Sequence, residues 1–173
     1  MEKYSKRMIV IHWLTLLLVV IGIFLGFALD DARHAGKATL AGYVAHALIG
    51  NTVLLLALVR LYFRRKDGVP PPLGQTLMDK VAKGIHHTLY TVLILLPISG
   101  IITIATSDIV KAISADDASL LPKKFEGVLA HNVHEVLVTV LLLLVAVHIL
   151  GALKHHFVLK DGIMDRMSLR GKK

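Results

Sequence analysis

Residues 128–153 read VLAHNVHEVLVTVLLLLVAVHILGAL. A bilayer crossing takes roughly 20 consecutive apolar residues, and this run supplies them with no lysine or arginine inside it. Three histidines fall in it: His131 near its start, and His134 and His148 deeper in and 14 residues apart. At about 100° and 1.5 Å per residue, that spacing puts the latter two within ~40° of one helix face and roughly 21 Å apart along the axis. An ionisable group inside a span is costly and by default marks function. The stretch therefore states both a membrane helix and a problem: what two buried imidazoles on one face are for.

Outward from it, three further runs are long enough to span, at about Met8–Leu29, Leu40–Phe63 and Ile85–Thr106. The sequence predicts an all-α, integral membrane four-helix bundle occupying residues 1–173 as a single domain. Composition agrees: 55% apolar, 18% charged and a mean hydropathy of +0.67 fall outside the range of soluble domains. The basic run Arg64-Arg65-Lys66 and the triple proline Pro70-Pro71-Pro72 break the chain between the second and third spans. Residues 109–121 mix apolar and acidic side chains and read as a short amphipathic piece at the interface. The basic head before the first run imitates a signal peptide, but the apolar run is too long, and it reads as a retained helix. Without cysteine, disulfides, thiolate-held clusters and covalently attached c-type haem are excluded. The net charge of +8 needs no nucleic acid, because basic inner loops account for it.

Fifteen of the twenty Lys and Arg residues fall at the two termini and in the middle connection, including Arg170, Lys172 and Lys173 at the very end. The positive-inside rule then places both termini in the cytoplasm of a multi-pass inner-membrane protein.

Ten histidines in so apolar a chain is the anomaly. His46 lies about six residues in from the outer end of the second span, the depth of His134. His12, near the inner end of the first span, matches His148. Two pairs from different helices, one near each membrane surface, are what two bis-histidine haem irons need. Each histidine taken alone reads equally as a hydrogen-bonding residue between helices. Gly42 and Gly50 flank His46 one turn either way and offer clearance for a porphyrin plate, while Gly22 and Gly26 form a small-residue step level with the outer pair. Arg60, 14 residues after His46, shares its face at the depth of the inner pair. It is placed either to meet a haem propionate or to snorkel from a helix end. His86 and His155, with neighbours His87 and His156, stand at the inner boundary, where imidazole suits proton handling beside a quinone headgroup.

These residues resemble the bacterial cytochrome b561 proteins, di-haem relatives of hydrogenase cytochrome b subunits, over essentially the whole chain. The resemblance rests on IHW at His12, AHxxxG at His46 with VRL at Arg60, HHTLYTVLILLPISG from His86, VHE at His134, VH at His148 and HHF at His155. It implies two b-type haems, one on His12 and His148 and one on His46 and His134, with electrons exchanged with ubiquinone. One branch of similar small proteins is assigned superoxide:ubiquinone oxidoreductase activity. Superoxide would be the outer donor and quinone the acceptor at the inner side, with His155 and His86 as the catalytic proton-handling residues. The loop Leu73-Gly74-Gln75-Thr76-Leu77 lacks the lysine such members can place near the quinone, and Lys80 and Lys83 are the available substitutes. Outside, Arg33, Lys37, Lys123 and Lys124 are available to steer the anion, opposed by Asp30, Asp31, Asp108, Asp116, Asp117 and Glu126. Two rivals stand beside this reading. One is an anchor subunit linking a dehydrogenase or hydrogenase to the quinone pool. The other is a metal-ion carrier or purely structural membrane protein.

Overall fold

A computed structural model describes residues 2–72, 74 and 76–169. The loop positions Leu73 and Gln75 and the basic residues Arg170, Lys172 and Lys173 lie outside the described residues. Five α-helices carry the fold: α1 (Lys6–His34), α2 (Leu40–Asp67), α3 (Leu77–Ala105), α4 (Ile109–Ser114) and α5 (Leu129–Leu153). Among the described residues there is no strand. All except α4 are long and apolar enough to cross a membrane.

Three helix ends overrun the apolar runs, each through polar contacts that a hydropathy reading ignores. α1 continues past Leu29 to His34 because Arg33 pairs with Asp30 one turn back, and His34 Nδ1 reaches the Asp30 carbonyl at 2.9 Å. α2 continues past Phe63 to Asp67, whose carboxylate accepts from Ser5 Oγ at 2.6 Å and from the Arg7 guanidinium. α3 starts at Leu77, eight residues before Ile85, on a capping box. Thr76 Oγ1 accepts from the Asp79 amide, and Asp79 accepts from the Thr76 amide at 2.9 Å. Gly68, at φ +75°, releases the chain from α2 into the prolines.

The helices pack in series: α1 on α2, α2 on α3, α3 on α5, while α1 and α5 approach each other only sparsely. At mid-height Val19, Val53, Val92 and Leu141, one residue from each spanning helix, close a buried apolar layer. Val19 is seven residues after His12. Val53 is seven after His46 and seven before Arg60, and Leu141 is midway between His134 and His148. Two heptads bring a helical residue back to nearly the same face. The layer thus divides two polar levels that the same three helices repeat above and below it.

The segment after α3 does not lie loose at the interface. Ile109, Ala112 and Leu121 are buried with Tyr43 in a second apolar cluster that also touches Leu29 and Phe125. It caps the end of the bundle remote from the termini. At the other end α5 widens into a π-turn over Lys154–Leu159. Lys160 and Gly162 then adopt left-handed conformations, and a 3-10 turn over Ile163–Met167 folds back. This strap is tied down by Trp13 Nε1 donating to the Met167 carbonyl (3.0 Å), the Tyr4 amide to Arg166 O (3.2 Å) and Arg166 Nη1 to Pro71 O (2.8 Å).

Candidate haem-binding sites

At the end remote from the termini, His46 of α2 and His134 of α5 face each other with ring centres 6.2 Å apart. At the terminus-bearing end, His12 of α1 and His148 of α5 do so at 6.3 Å. A metal–imidazole bond of about 2 Å, plus about 1.1 Å from the ligating nitrogen to its ring centre, counted on both sides, separates two ring centres by about 6.2 Å. Both pairs match that figure. His86 lies nearer His148, at 5.3 Å, too close for an iron between them, and this distance favours His12 as the partner. Among the described residues no cluster of three or more His, Asp or Glu suits a bare metal ion. A donor set of two opposed imidazoles instead suits a metal whose equatorial positions a macrocycle fills.

The first pair stands in a cavity of about 380 Å³ between α1, α2, α3 and α5. Its wall is mostly apolar, with Val19, Leu93, Leu96 and Leu141 among the lining. Glycines from three helices, Gly22, Gly26, Gly50 and Gly100, also line it. Gly26 presses on His46, since a Cβ there would stand 3.1 Å from the ring's Cε1. Gly100 does the same for His134 at 3.3 Å. At Gly50 a Cβ would meet nothing within 4 Å. Gly42 differs from the sequence expectation. It is not part of the lining, and a Cβ there would meet Thr39 Oγ1 (3.2 Å) and Leu29 (3.3 Å), so its smallness serves the α1–α2 contact.

His134 Nδ1 lies 3.1 Å from the Leu96 carbonyl and 3.0 Å from Ser99 Oγ, which itself donates to Leu96 O at 2.7 Å. With Nδ1–H donated to that carbonyl, Nε2 keeps its lone pair for a metal. The carbonyl immediately precedes Pro97, which interrupts the amide ladder of α3. His46 Nδ1 is buried without a well-formed hydrogen bond, within looser reach of the Gly22 backbone.

Arg60 sits at the level of the other pair, and its charge acts on His12, His86 and His148. Its guanidinium stands 5.4 Å over Tyr90, and its Nε is buried without a partner. That orphaned donor fits an acidic group of a ligand that the protein alone does not supply. His155 is not at a regular helix end but in the π-turn, where its Nδ1 meets Asp161 Oδ2 at 2.5 Å. Asp161 also accepts from the Ile163 amide. The His155 hydrogen bond, first, and then that amide hold its carboxyl below the usual carboxylate range. His87 is turned back onto the Lys83 carbonyl, at 2.7 Å. At the opposite end Lys124 is drawn to Glu126 at 3.4 Å, and Lys123 offers its carbonyl to Arg33.

The sequence matches the prokaryotic cytochrome b561 family over residues 3–169. The chain belongs to that family. Its curated relatives include "Cytochrome b562" of Cereibacter sphaeroides, 30% identical over 168 residues covering 95% of this chain and 94% of that protein. "Cytochrome b561 homolog 1" of Escherichia coli is 31% identical over 179 aligned positions, 99% of this chain and all of that protein. "Probable superoxide oxidase CybB" of Yersinia pestis is 30% identical over 175 positions, 96% of each chain. Membership makes this a membrane electron carrier of the cytochrome b type and implies haem b, which the opposed imidazoles and the glycine-walled cavity fit.

Proposed function

We propose that the protein binds two haem b groups and acts as a superoxide:ubiquinone oxidoreductase, taking electrons at the periplasmic face and delivering them to quinone at the cytoplasmic face. The observation that carries the reading is the pair of imidazole couples, 6.2 and 6.3 Å between ring centres, on opposite sides of the Val19–Val53–Val92–Leu141 layer. The relative named as a probable superoxide oxidase supports superoxide as the donor. The lysine and arginine distribution supports cytoplasmic termini, which makes His12 and His148 the inner couple and His46 and His134 the outer one.

Haem b, when bound, supplies a one-electron iron couple at each level. His46 and His134 would hold the outer group and His12 and His148 the inner, while the apolar layer keeps water and protons from passing between the levels. Arg60 compensates acidic charge at the inner level. Two superoxide anions each lose one electron and leave as oxygen, and one quinone takes two electrons and two protons to become quinol. Protons are needed only at the inner face. There His155, its Nδ1 held by Asp161, presents Nε2 as the group that takes a proton from water and gives it to the quinone oxygen. His86, against His148, is the second titratable group on that side.

Mixing the purified, oxidised protein with a superoxide source while recording the reduced b-type bands tests the proposal. Haem reduction far faster than in an unrelated b-type cytochrome, followed by reoxidation on adding ubiquinone, is the expected result. Reduction no faster than that control ends the superoxide reading and leaves the quinone-linked anchor subunit as the better account.

A further inference from the structure

The outer cavity has a polar end that the histidine couple does not explain. Asp30 and Arg33 from α1, Tyr43 from α2, and His131 and Glu135 from α5 line it at the face remote from the termini, under the roof formed by Ile109 and Phe125. Tyr43 is only 7% exposed, and its hydroxyl is buried with no hydrogen-bond partner. The Arg33 side chain is 9% exposed. Nη1 donates to the Lys123 carbonyl at 2.9 Å, Nη2 pairs with Asp30 and lies 3.5 Å from His34, and the guanidinium stands 5.4 Å over Phe125. His131 is stacked on Phe125 at 4.1 Å and drawn to Glu135 at 3.3 Å. The acidic groups at this end are therefore each taken up by a local partner. Besides His46 Nδ1, the Tyr43 hydroxyl is the buried polar atom of this lining left without a partner among the described residues.

A buried hydroxyl without a partner is uncommon in a folded protein and points to an acceptor that belongs there. A guanidinium has five N–H donors in a fork that matches a carboxylate. The ligand that fits a mostly apolar, glycine-walled slot whose arginine and tyrosine donors lie at one end is a flat apolar plate bearing carboxylates along one edge. We propose that Tyr43 Oη and the Arg33 guanidinium form a carboxylate-binding subsite, and that it takes the propionate groups of the outer haem, orienting them toward the membrane surface rather than the mid-height layer. The proposal rests on the reading that a haem occupies the His46–His134 couple. It gives the outer level the counterpart of what Arg60 offers the inner one.

The test is a spectroelectrochemical titration of the two-haem protein, wild type against Tyr43→Phe and Arg33→Gln, with the outer haem assigned as the one that His46→Ala removes. Removing a donor to the propionates leaves their negative charge less compensated and favours the ferric state. The midpoint potential of the outer haem should fall in both variants while that of the inner haem stays. In redox-difference infrared spectra the propionate carboxylate bands should shift in Tyr43→Phe. Arg33→Lys, which keeps the charge, should give a smaller fall than Arg33→Gln. An outer potential and carboxylate bands unchanged in Tyr43→Phe, or equal shifts at both haems, would overturn the subsite. Failure of the underlying haem reading is a separate result: wild type would lack the band that His46→Ala is meant to remove.

Discussion

Gly26 lies so close to His46 that a Cβ on the glycine would stand 3.1 Å from the ring's Cε1. The neighbour is the imidazole whose ring centre stands 6.2 Å from that of His134, and under the proposed haem ligation it cannot yield without leaving that partner. Gly26→Val should cost the outer haem while the inner remains. Gly42→Ala meets only Leu29 and the Thr39 cap and should leave both haems in place. Gly50→Leu separates fold from cofactor. With open space beside Gly50 the apoprotein should accept the larger side chain, while haem uptake falls. Haem content by the pyridine haemochrome assay, with helicity by circular dichroism, reads all three.

The two imidazole couples predict a stoichiometry. Wild-type protein should carry about two low-spin haems per chain. His46→Ala or His134→Ala should remove one and His12→Ala or His148→Ala the other. His86→Ala should remove neither, because the 5.3 Å approach of His86 to His148 is too short for an iron between them. A single haem that survives loss of either His46 or His134 contradicts the pairing.

Arg60 carries a buried positive charge with an unpartnered Nε at the inner level. Removing a cation favours the more positive, oxidised iron, so Arg60→Ala should lower the potential of the inner haem and leave the outer one nearly unchanged. Equal shifts at both would make Arg60 a helix-end residue only.

The four spans were legible in the sequence because bilayer thickness sets a run length that hydropathy reads directly. The imidazole couples were legible because two heptads return His134 to His148, and His46 to Arg60, on one face. What escaped depends on which helix lies beside which. Gly26 and Gly100 matter only because α1 passes His46 and α3 passes His134. The Gly42 expectation failed because α1 fills that side with Leu29. The early start of α3 was written locally, in the Thr76–Asp79 capping box, but lay outside the apolar run being measured. Residues 109–121 were legible as a short amphipathic piece, but not their packing onto Tyr43, which lies some 70 positions away in the sequence.

Asp161 titrates below the ordinary carboxylate range because His155 donates to it. A depressed carboxylate adds stability that is present above its unfolded pKa of about 3.9 and is lost as pH falls through the lower folded value. The strap should therefore stay docked through neutral and mildly acid pH and release only in strong acid. Trp13, the single tryptophan, donates to Met167 in that strap, so its fluorescence reports the docking. In Asp161→Asn the quinone-dependent reoxidation should slow at every pH above about 5, where the native carboxylate is already charged. Rapid haem reduction by superoxide should persist.

Superoxide is a small anion, and its capture should show the charge pattern of the outer face. Lys123 and Lys124 lie on the segment that roofs the outer cavity, but Lys124 is drawn to the exposed Glu126. Arg33 is tied to Asp30. Steering must then come from the lysines more than from the buried arginine. At about 0.1 M salt the screening length is about 10 Å, so attraction at the mouth should weaken over that range of ionic strength. The bimolecular rate of haem reduction should fall as salt rises. Exchanging Lys123 and Lys124 together for glutamine should lower the rate at low salt by a few-fold and flatten its salt dependence, with the haem spectra unchanged. The Glu126→Gln change should act in the opposite direction by freeing Lys124. Stopped-flow measurements at two or more salt concentrations decide it. A rate indifferent to both salt and these three substitutions would mean that the anion reaches the outer haem by a route the lysines do not influence.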